Sequence, residues 1–256
     1  MDILFVLLCN FVLNNENIMT KLSVNINKIA TLRNSRGGNV PNLLQFAKDV
    51  QAYGADGITV HPRPDQRHIR YQDARELPSV ITSEYNIEGN PMDNFLQLVF
   101  ECKPTQVTLV PDAVDALTSN AGWDTIKHKD FLIDVIQACK ERGIRTSVFV
   151  DPDLRMIEGA KAVDTDRIEL YTEEFAKQYA LGNHKAIEPY TQAAILANEL
   201  GLGVNAGHDL SLDNIEFFQK NIPGLLEVSI GHALIAESLY LGIENVVCMY
   251  KQKLRK

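Results

Sequence analysis

Two short stretches end apolar runs by pairing glycine with histidine. VNAGHDLS, Val204 to Ser211, brings Asn205, Gly207 and His208 close together, and EVSIGHALI repeats the device with Gly231 and His232. Imidazole gains or loses a proton near neutral pH. Glycine lets backbone N–H groups approach an anionic oxygen. Used twice, the pair suits proton transfer beside a bound phosphate. His61 opens HPRPDQRHIR, which gathers Arg63, Arg67, His68 and Arg70. Guanidinium forks and ring N–H groups at that density can hold one or two phosphates, the plainer alternative being a solvated basic loop. Glu88 closes EYNIEGN, where a carboxylate among apolar residues is costly unless it has a partner or a task. Buried beside a histidine, such a group can move protons at neutral pH. A strand-end histidine can equally be a hydrogen-bonded core or rim residue, and His232 is open to either reading. His128 and His184 sit in polar surroundings and are not expected to be catalytic.

Histidines can also hold zinc. A zinc hydrolase on a barrel would show His-x-His at its first strand, where this chain has Asn25-Ile26-Asn27, and there is no HExxH. No metal and no redox cofactor are expected. The four cysteines, Cys9, Cys102, Cys139 and Cys248, lie far apart without CxxC spacing, which points to a reducing, cytoplasmic setting. A net charge of −8 and a pI near 5.3 argue against broad nucleic-acid or anionic-membrane binding and leave room for a local basic pocket. The apolar run Ile3 to Leu13 lacks a basic flank and a cleavage site and is too short to span a bilayer. Residues 1–18 are therefore expected to be a non-structural extension, with a single domain over 19–256.

The elements that must position these groups follow one recurring junction, an amphipathic helix ending at glycine and then a short apolar strand. PNLLQFAKDVQAYG puts Leu43, Phe46, Ala47, Val50 and Tyr53 on one face and ends at Gly54. KDFLIDVIQACKERG does so with Phe131, Leu132, Val135, Ile136 and Cys139 and ends at Gly143; a third copy ends at Gly201. Strands read as continuous apolar runs between helices predict a parallel sheet covered by helices. Eight are expected: Leu22 to Ile26, Ile58 to Val60, Tyr85 to Ile87, Gln106 to Val110, Arg145 to Val150, Arg167 to Leu170, Gly203 to Asn205 and Leu226 to Ile230. Eight strands alternating with helices favour a closed (β/α)8 TIM barrel with extra helices in its loops. An open doubly wound sheet is the alternative, but GxGxxG does not follow the first strand. On a barrel the strand C-termini share one mouth, and Asn25, His61, Arg63, Glu88, Glu169, Asn205, His208 and His232 all fall at or near such ends. The turn-rich LVPDAVDALTSNAGWD reads as an active-site loop.

Together VNINKIATLRNSRGG, GADGITVHPRPDQRHI, NIEGN, LVPDAVDALTSNAGWD, RIELYT, VNAGHDL and IGHALIAESL resemble the pyridoxine 5′-phosphate synthase family of vitamin B6 biosynthesis, from Leu22 to about Leu241. The resemblance implies condensation of 1-deoxy-D-xylulose 5-phosphate with 3-amino-2-oxopropyl phosphate to give pyridoxine 5′-phosphate, inorganic phosphate and water. It implies His61 and Glu88 as acid/base catalysts, His208 as proton donor, and Glu169 as a further active-site carboxylate. Binding positions carry over to Asn25, Arg36, His68, Thr118, Gly231 and His232, with Arg63 in the same basic stretch. Asp209 stands where the family usually has glycine, and Asn27-Lys28 where many members have Asp-His. The resemblance also implies a homo-oligomer, an octamer in the family. Two other readings stay open: another phosphosugar-converting barrel of the epimerase or aldolase kind, and a non-catalytic phosphosugar-binding barrel. A Schiff-base aldolase would need a lysine at an apolar strand end, and Lys21, Lys28 and Lys103 are not read there.

Overall fold

The computed structural model describes residues 19–112 and 121–255. Eight parallel strands close on themselves in chain order: β1 Lys21–Asn25, β2 Gly57–Val60, β3 Glu84–Gly89, β4 Gln106–Leu109, β5 Arg145–Val150, β6 Arg167–Tyr171, β7 Gly203–Gly207 and β8 Leu225–Ile230. β8 pairs back onto β1, with Val24 opposite Ile230. Closure removes both sheet edges and decides for the barrel over the open sheet. The helices are α1 Asn27–Asn34, α2 Leu43–Ala52, α3 Tyr71–Glu76, α4 Asp93–Cys102, α5 Lys129–Lys140, α6 Leu154–Ala162, α7 Glu173–Ala180, α8 Glu188–Glu199, α9 Ile215–Asn221, α10 His232–Leu241 and α11 Ile243–Lys253. Some connections carry more than one helix, as with α1 and α2 between β1 and β2. Gly54, Gly143 and Gly201 follow α2, α5 and α8 at φ +106°, +70° and +73°, the left-handed exit that only glycine takes without strain.

The strands are not the continuous apolar runs expected from sequence. Leu22, Val24, Ile58, Val60, Ile87, Val107, Leu109, Val148, Ile168, Leu170, Val228 and Ile230 join the buried apolar core. Between them in the chain come Ser23, Asn25, Thr59, Asn86, Glu88, Thr108, Ser147, Glu169, Glu227 and Ser229, which alternate with them and point the other way. That second set fills the lumen. Ser23 Oγ meets Thr59 Oγ1 at 2.7 Å, Thr108 donates to Asn86 Oδ1 at 3.1 Å, and Ser229 of β8 reaches Glu88 of β3 at 3.4 Å. The apolar core therefore lies between barrel and helices, while the barrel's centre is polar and mostly hydrogen-bonded. Such an interior is costly in a low-dielectric setting and supplies ionisable groups directly beneath the mouth.

Helix faces follow the sequence with one correction. Leu132, Val135, Ile136 and Cys139 of α5 are buried, but Phe131 is 43% exposed and leans on Trp123, with ring centroids 6.0 Å apart. It lies at the start of the helix, where the loop before α5 offers it a surface partner. Residues 1–18 lie outside the described residues, as does much of the loop after β4. Among the described residues no helix is long and apolar enough to cross a membrane.

Candidate active site

The strand C-termini enclose a cavity of about 410 Å³. Its lining brings together Asn25, His61, Arg63, His68, Glu88, Glu169, His208, Asp209, Gly231 and His232, all singled out from sequence. Thr118 lies outside the described residues. Arg36 is not in this lining: it is exposed in the turn after α1, beyond the helix that holds Arg33 inward. His128 and His184 are also elsewhere, His128 against Trp123 and His184 stacked on Tyr179.

Glu88 occupies the centre. It is the penultimate residue of β3 rather than its end, pointing into the lumen, where Asn25 Nδ2 and Ser229 Oγ each approach it at 3.4 Å. Burial pushes its carboxyl up to about 7, against the opposing pull of the His208 imidazole. Glu169 on β6 is held well above the usual carboxylate range by burial and then by Glu88 and Glu227. Neutral solution thus leaves Glu88 poised between acid and base, while burial and its acidic neighbours bias Glu169 toward its acid form.

The histidines are separated in the same way. His61 follows β2, its backbone N–H donating to Asn27 Oδ1 at 2.9 Å. Burial, then the neighbouring Arg63, holds its pKa well below the ordinary value, so it is neutral at pH 7 and able to accept a proton. Burial and Arg63 likewise press His68 down to about 4. His68 Nδ1 accepts the Ile69 N–H at 2.9 Å, which fixes Nε2–H as the neutral ring's donor. His208 goes the other way. Burial alone would lower it, but the hydrogen-bonded Asp209 carboxylate, with Glu88 and Glu173, outweighs that and raises its pKa.

Positive charge surrounds the cavity on one side. Arg63, Arg67 and Lys28 line it. Arg63 is buried and paired with Asp112 at 2.5 Å. The basic loop is anchored from α1: Arg33 grips Asp73 through two contacts of 2.6 and 2.7 Å, and Asn34 Nδ2 donates to the His68 carbonyl at 2.7 Å. Opposite stands an apolar wall, Val110 and Phe149, backed by Tyr171. At the Gly-His pairs the backbone comes close. A Cβ on Gly207 would lie 2.7 Å from the Ser229 carbonyl oxygen and 2.9 Å from Glu169 Oε1. Gly231 precedes the first turn of α10, which no side chain caps, so its N–H groups are available to an anion at the mouth. Among the described residues no group of three or more His, Cys, Asp or Glu side chains is arranged to hold a metal ion.

Sequence reasoning passed over Lys28 and Glu227. Lys28 enters the sequence reading as a possible Schiff-base lysine and as part of a departure from the family, yet it is the second residue of α1 and lines the cavity. Glu227 stands two residues before Ser229, and period-two spacing would have placed it on the lumen face.

A closed (β/α)8 barrel whose C-terminal mouth gathers acid/base groups and basic side chains in one cavity defines the class: a barrel enzyme for small anionic substrates. The family model described as pyridoxal phosphate biosynthesis protein PdxJ matches residues 22–256, and the chain belongs to that family. It is 72% identical over 237 residues to the pyridoxine 5′-phosphate synthase of Flavobacterium johnsoniae, covering 93% of this chain and 100% of that protein. The protein of the same name from Porphyromonas gingivalis is 55% identical over 236 residues, covering 92% and 99%. Among solved structures, 3-keto-L-gulonate-6-phosphate decarboxylase from Vibrio cholerae superposes with a TM-score of 0.63 at 10% identity, covering 92% of this chain and 97% of that one. Thiamine phosphate pyrophosphorylase from Pyrococcus furiosus gives 0.61 at 10%, covering 94% and 98%. At such identity these two likenesses speak for the barrel alone.

Proposed function

We propose that the protein is a pyridoxine 5′-phosphate synthase, joining 1-deoxy-D-xylulose 5-phosphate to 3-amino-2-oxopropyl phosphate with release of inorganic phosphate and water. The observation that carries the reading is that one cavity, in a chain of this family, shifts its acid/base groups in opposite directions: His61 lowered by burial and Arg63, Glu88 raised by burial to about 7, and His208 raised by the Asp209 carboxylate bonded to it. Joining an amine to a ketone, losing water, expelling phosphate and closing an aromatic ring needs repeated proton removal and delivery at neighbouring atoms. Groups whose environments push their pKa values apart can do both at one pH.

In this reading His61 and Glu88 take protons from nitrogen and carbon, and Glu88, titrating near 7, can return them. His208 delivers a proton to an oxygen as its bond to carbon breaks, the electron pair leaving with the oxygen. Glu169, biased toward its acid form, hydrogen-bonds a developing oxyanion. Lys28, Arg67 and the His68 Nε2–H hold one phosphate, and the backbone at Gly207, Gly231 and His232 the other. The flat product lies against Val110 and Phe149. Asn25 orients Glu88 through its amide. The reading also carries a cytoplasmic homo-oligomer, which sedimentation of the purified chain tests for its assembly.

The experiment is to incubate purified protein with each substrate alone and with both, following product by absorbance and mass. Pyridoxine 5′-phosphate formed only with both is the expected result. Conversion of 1-deoxy-D-xylulose 5-phosphate alone, with no ring product, would instead favour an epimerase-like barrel.

A further inference from the structure

His208 and Asp209 form an arrangement that the cavity's other side chains do not share. His208 has a left-handed backbone at φ +80°, a conformation that costs an L-residue on the order of 1 kcal/mol and persists only where the surroundings enforce it. The enforcing contacts are local. The His208 N–H reaches the Ser229 carbonyl at 3.4 Å, and the Asp209 N–H donates to the Gly207 carbonyl and to Thr172 Oγ1, each at 3.3 Å. The Thr172 hydroxyl in turn donates to the Gly207 carbonyl. Within this turn the two consecutive side chains meet, and Asp209 Oδ2 lies 2.6 Å from His208 Nδ1, the short distance of a charge-assisted hydrogen bond.

We propose that Asp209 is a positioning residue for His208, its carboxylate holding the Nδ1–H so that Nε2 is the atom that exchanges protons with the substrate. The proposal rests on the reading of His208 as the proton donor. When Nε2 gives up its proton to the departing oxygen, the ring is left neutral with its remaining proton on Nδ1, still hydrogen-bonded to an ionised Asp209. An orienting carboxylate acts on histidine in this way in hydrolytic triads. Among the described residues, the groups that also face His208 include Glu88 from β3, His61 just after β2, the Tyr171 ring on β6 with its centroid 5.6 Å away, and Glu173 at the start of α7. Glu88 and Glu173 reinforce the carboxylate. Glu173 is itself bound by the Tyr171 hydroxyl and by Lys177 at 2.6 Å. The contact to Nδ1 is made by Asp209, from the next position in the chain. The alternative, that Asp209 contacts a substrate phosphate, sets like charges together; its 2.6 Å bond to imidazole gives the carboxylate a different partner.

The test uses the full chain with Asp209→Asn and Asp209→Glu, read by two independent measurements. The first is an NMR titration of the His208 ring, assigned by the signal lost in His208→Asn; the second is the pH profile of kcat with KM followed separately. In Asp209→Asn the His208 titration should move to lower pH and the alkaline limb of kcat should follow it. Turnover at pH 8 should fall on the order of tenfold with KM little changed, a smaller loss than the roughly 10²-fold or more of losing the acid itself. Asp209→Glu should restore part of both. Should Asp209→Asn fail to fold, Asp209→Ser removes the same carboxylate and carries the same readouts. An unmoved His208 titration overturns the proposal. So does a lowered KM for a phosphorylated substrate at unchanged kcat, which would assign Asp209 to the substrate instead. If the parent makes no pyridoxine 5′-phosphate the proposed function fails, while the ring titration still decides whether Asp209 controls His208.

Discussion

Replacing Glu88 by glutamine should lower activity and raise stability, and the opposite signs make it informative. The substitution keeps the side chain's shape and removes the ionisable oxygen at the centre of the cavity, so a general acid/base contribution of roughly 10²- to 10⁴-fold in turnover should be lost. The stability effect comes from the same burial that tunes the group. Glu88 is 9% exposed, and its carboxyl is raised from an ordinary 4.5 to about 7. A folded pKa above the unfolded one means that the fold prefers the protonated acid. The stability this contributes is fully present below about pH 4.5 and is lost as the pH rises through 7. At about 1.4 kcal/mol per pH unit, a gap of that size is roughly 3 kcal/mol in favour of a neutral isostere above pH 7. Ser229 Oγ, which donates to the carboxylate at 3.4 Å, can turn to accept from the new amide. Urea unfolding across pH 4.5 to 8.5, beside steady-state turnover, reads both quantities. The variant should match the parent at the acid end and exceed it increasingly up to about pH 7.5. Turnover within a few fold of the parent would remove Glu88 from the chemistry. A variant less stable at every pH would make the carboxylate a structural hydrogen-bonding node instead.

Three further outcomes are expected. His208→Asn should keep the fold, since asparagine tolerates the left-handed backbone at that position, while single-turnover kinetics show the chemical step slowed on the order of 10²-fold or more with modest change in substrate affinity; a lowered melting temperature with normal turnover would mark a packing residue. Arg33→Met leaves Asp73 without its bidentate partner and should cost about 3–5 kcal/mol in denaturant unfolding, with a raised KM for phosphorylated substrate as the His68 loop loses its anchor. A chain starting at Met19 should fold and turn over as the full chain does, checked by melting temperature and kcat; loss of either would give residues 1–18 a structural role.

The barrel was legible because its signals are local and repeated: a helix stripe ending at a glycine exit, three times over, and eight short runs rich in β-branched residues. The residues brought to the mouth were legible for the same reason, since a polar residue closing an apolar run is conspicuous and the barrel sends all such ends one way. The lumen was harder to read. In strands of four to six residues an alternating pattern such as Val-Ser-Ile is easily taken as a continuous apolar run, and Glu227, two places before Ser229, was missed with it. Arg33 and Arg36 show the limit of local reading. They lie three residues apart and look equivalent as letters, but Arg33 is on the inward face of α1 and buried, while Arg36 falls after the helix ends and meets solvent. The Asp209 contact to His208 depends on a left-handed backbone at a non-glycine residue, for which composition and spacing carry no signal.

The central claim is that one cavity consumes two phosphorylated substrates and lets one phosphate go, and ³¹P NMR of a complete reaction tests it most directly. Both substrate resonances should decline together while inorganic phosphate and the pyridoxine 5′-phosphate monoester rise in equal amounts. Conversion of one substrate into an isomer with no inorganic phosphate, or phosphate released without the ring product, would contradict it.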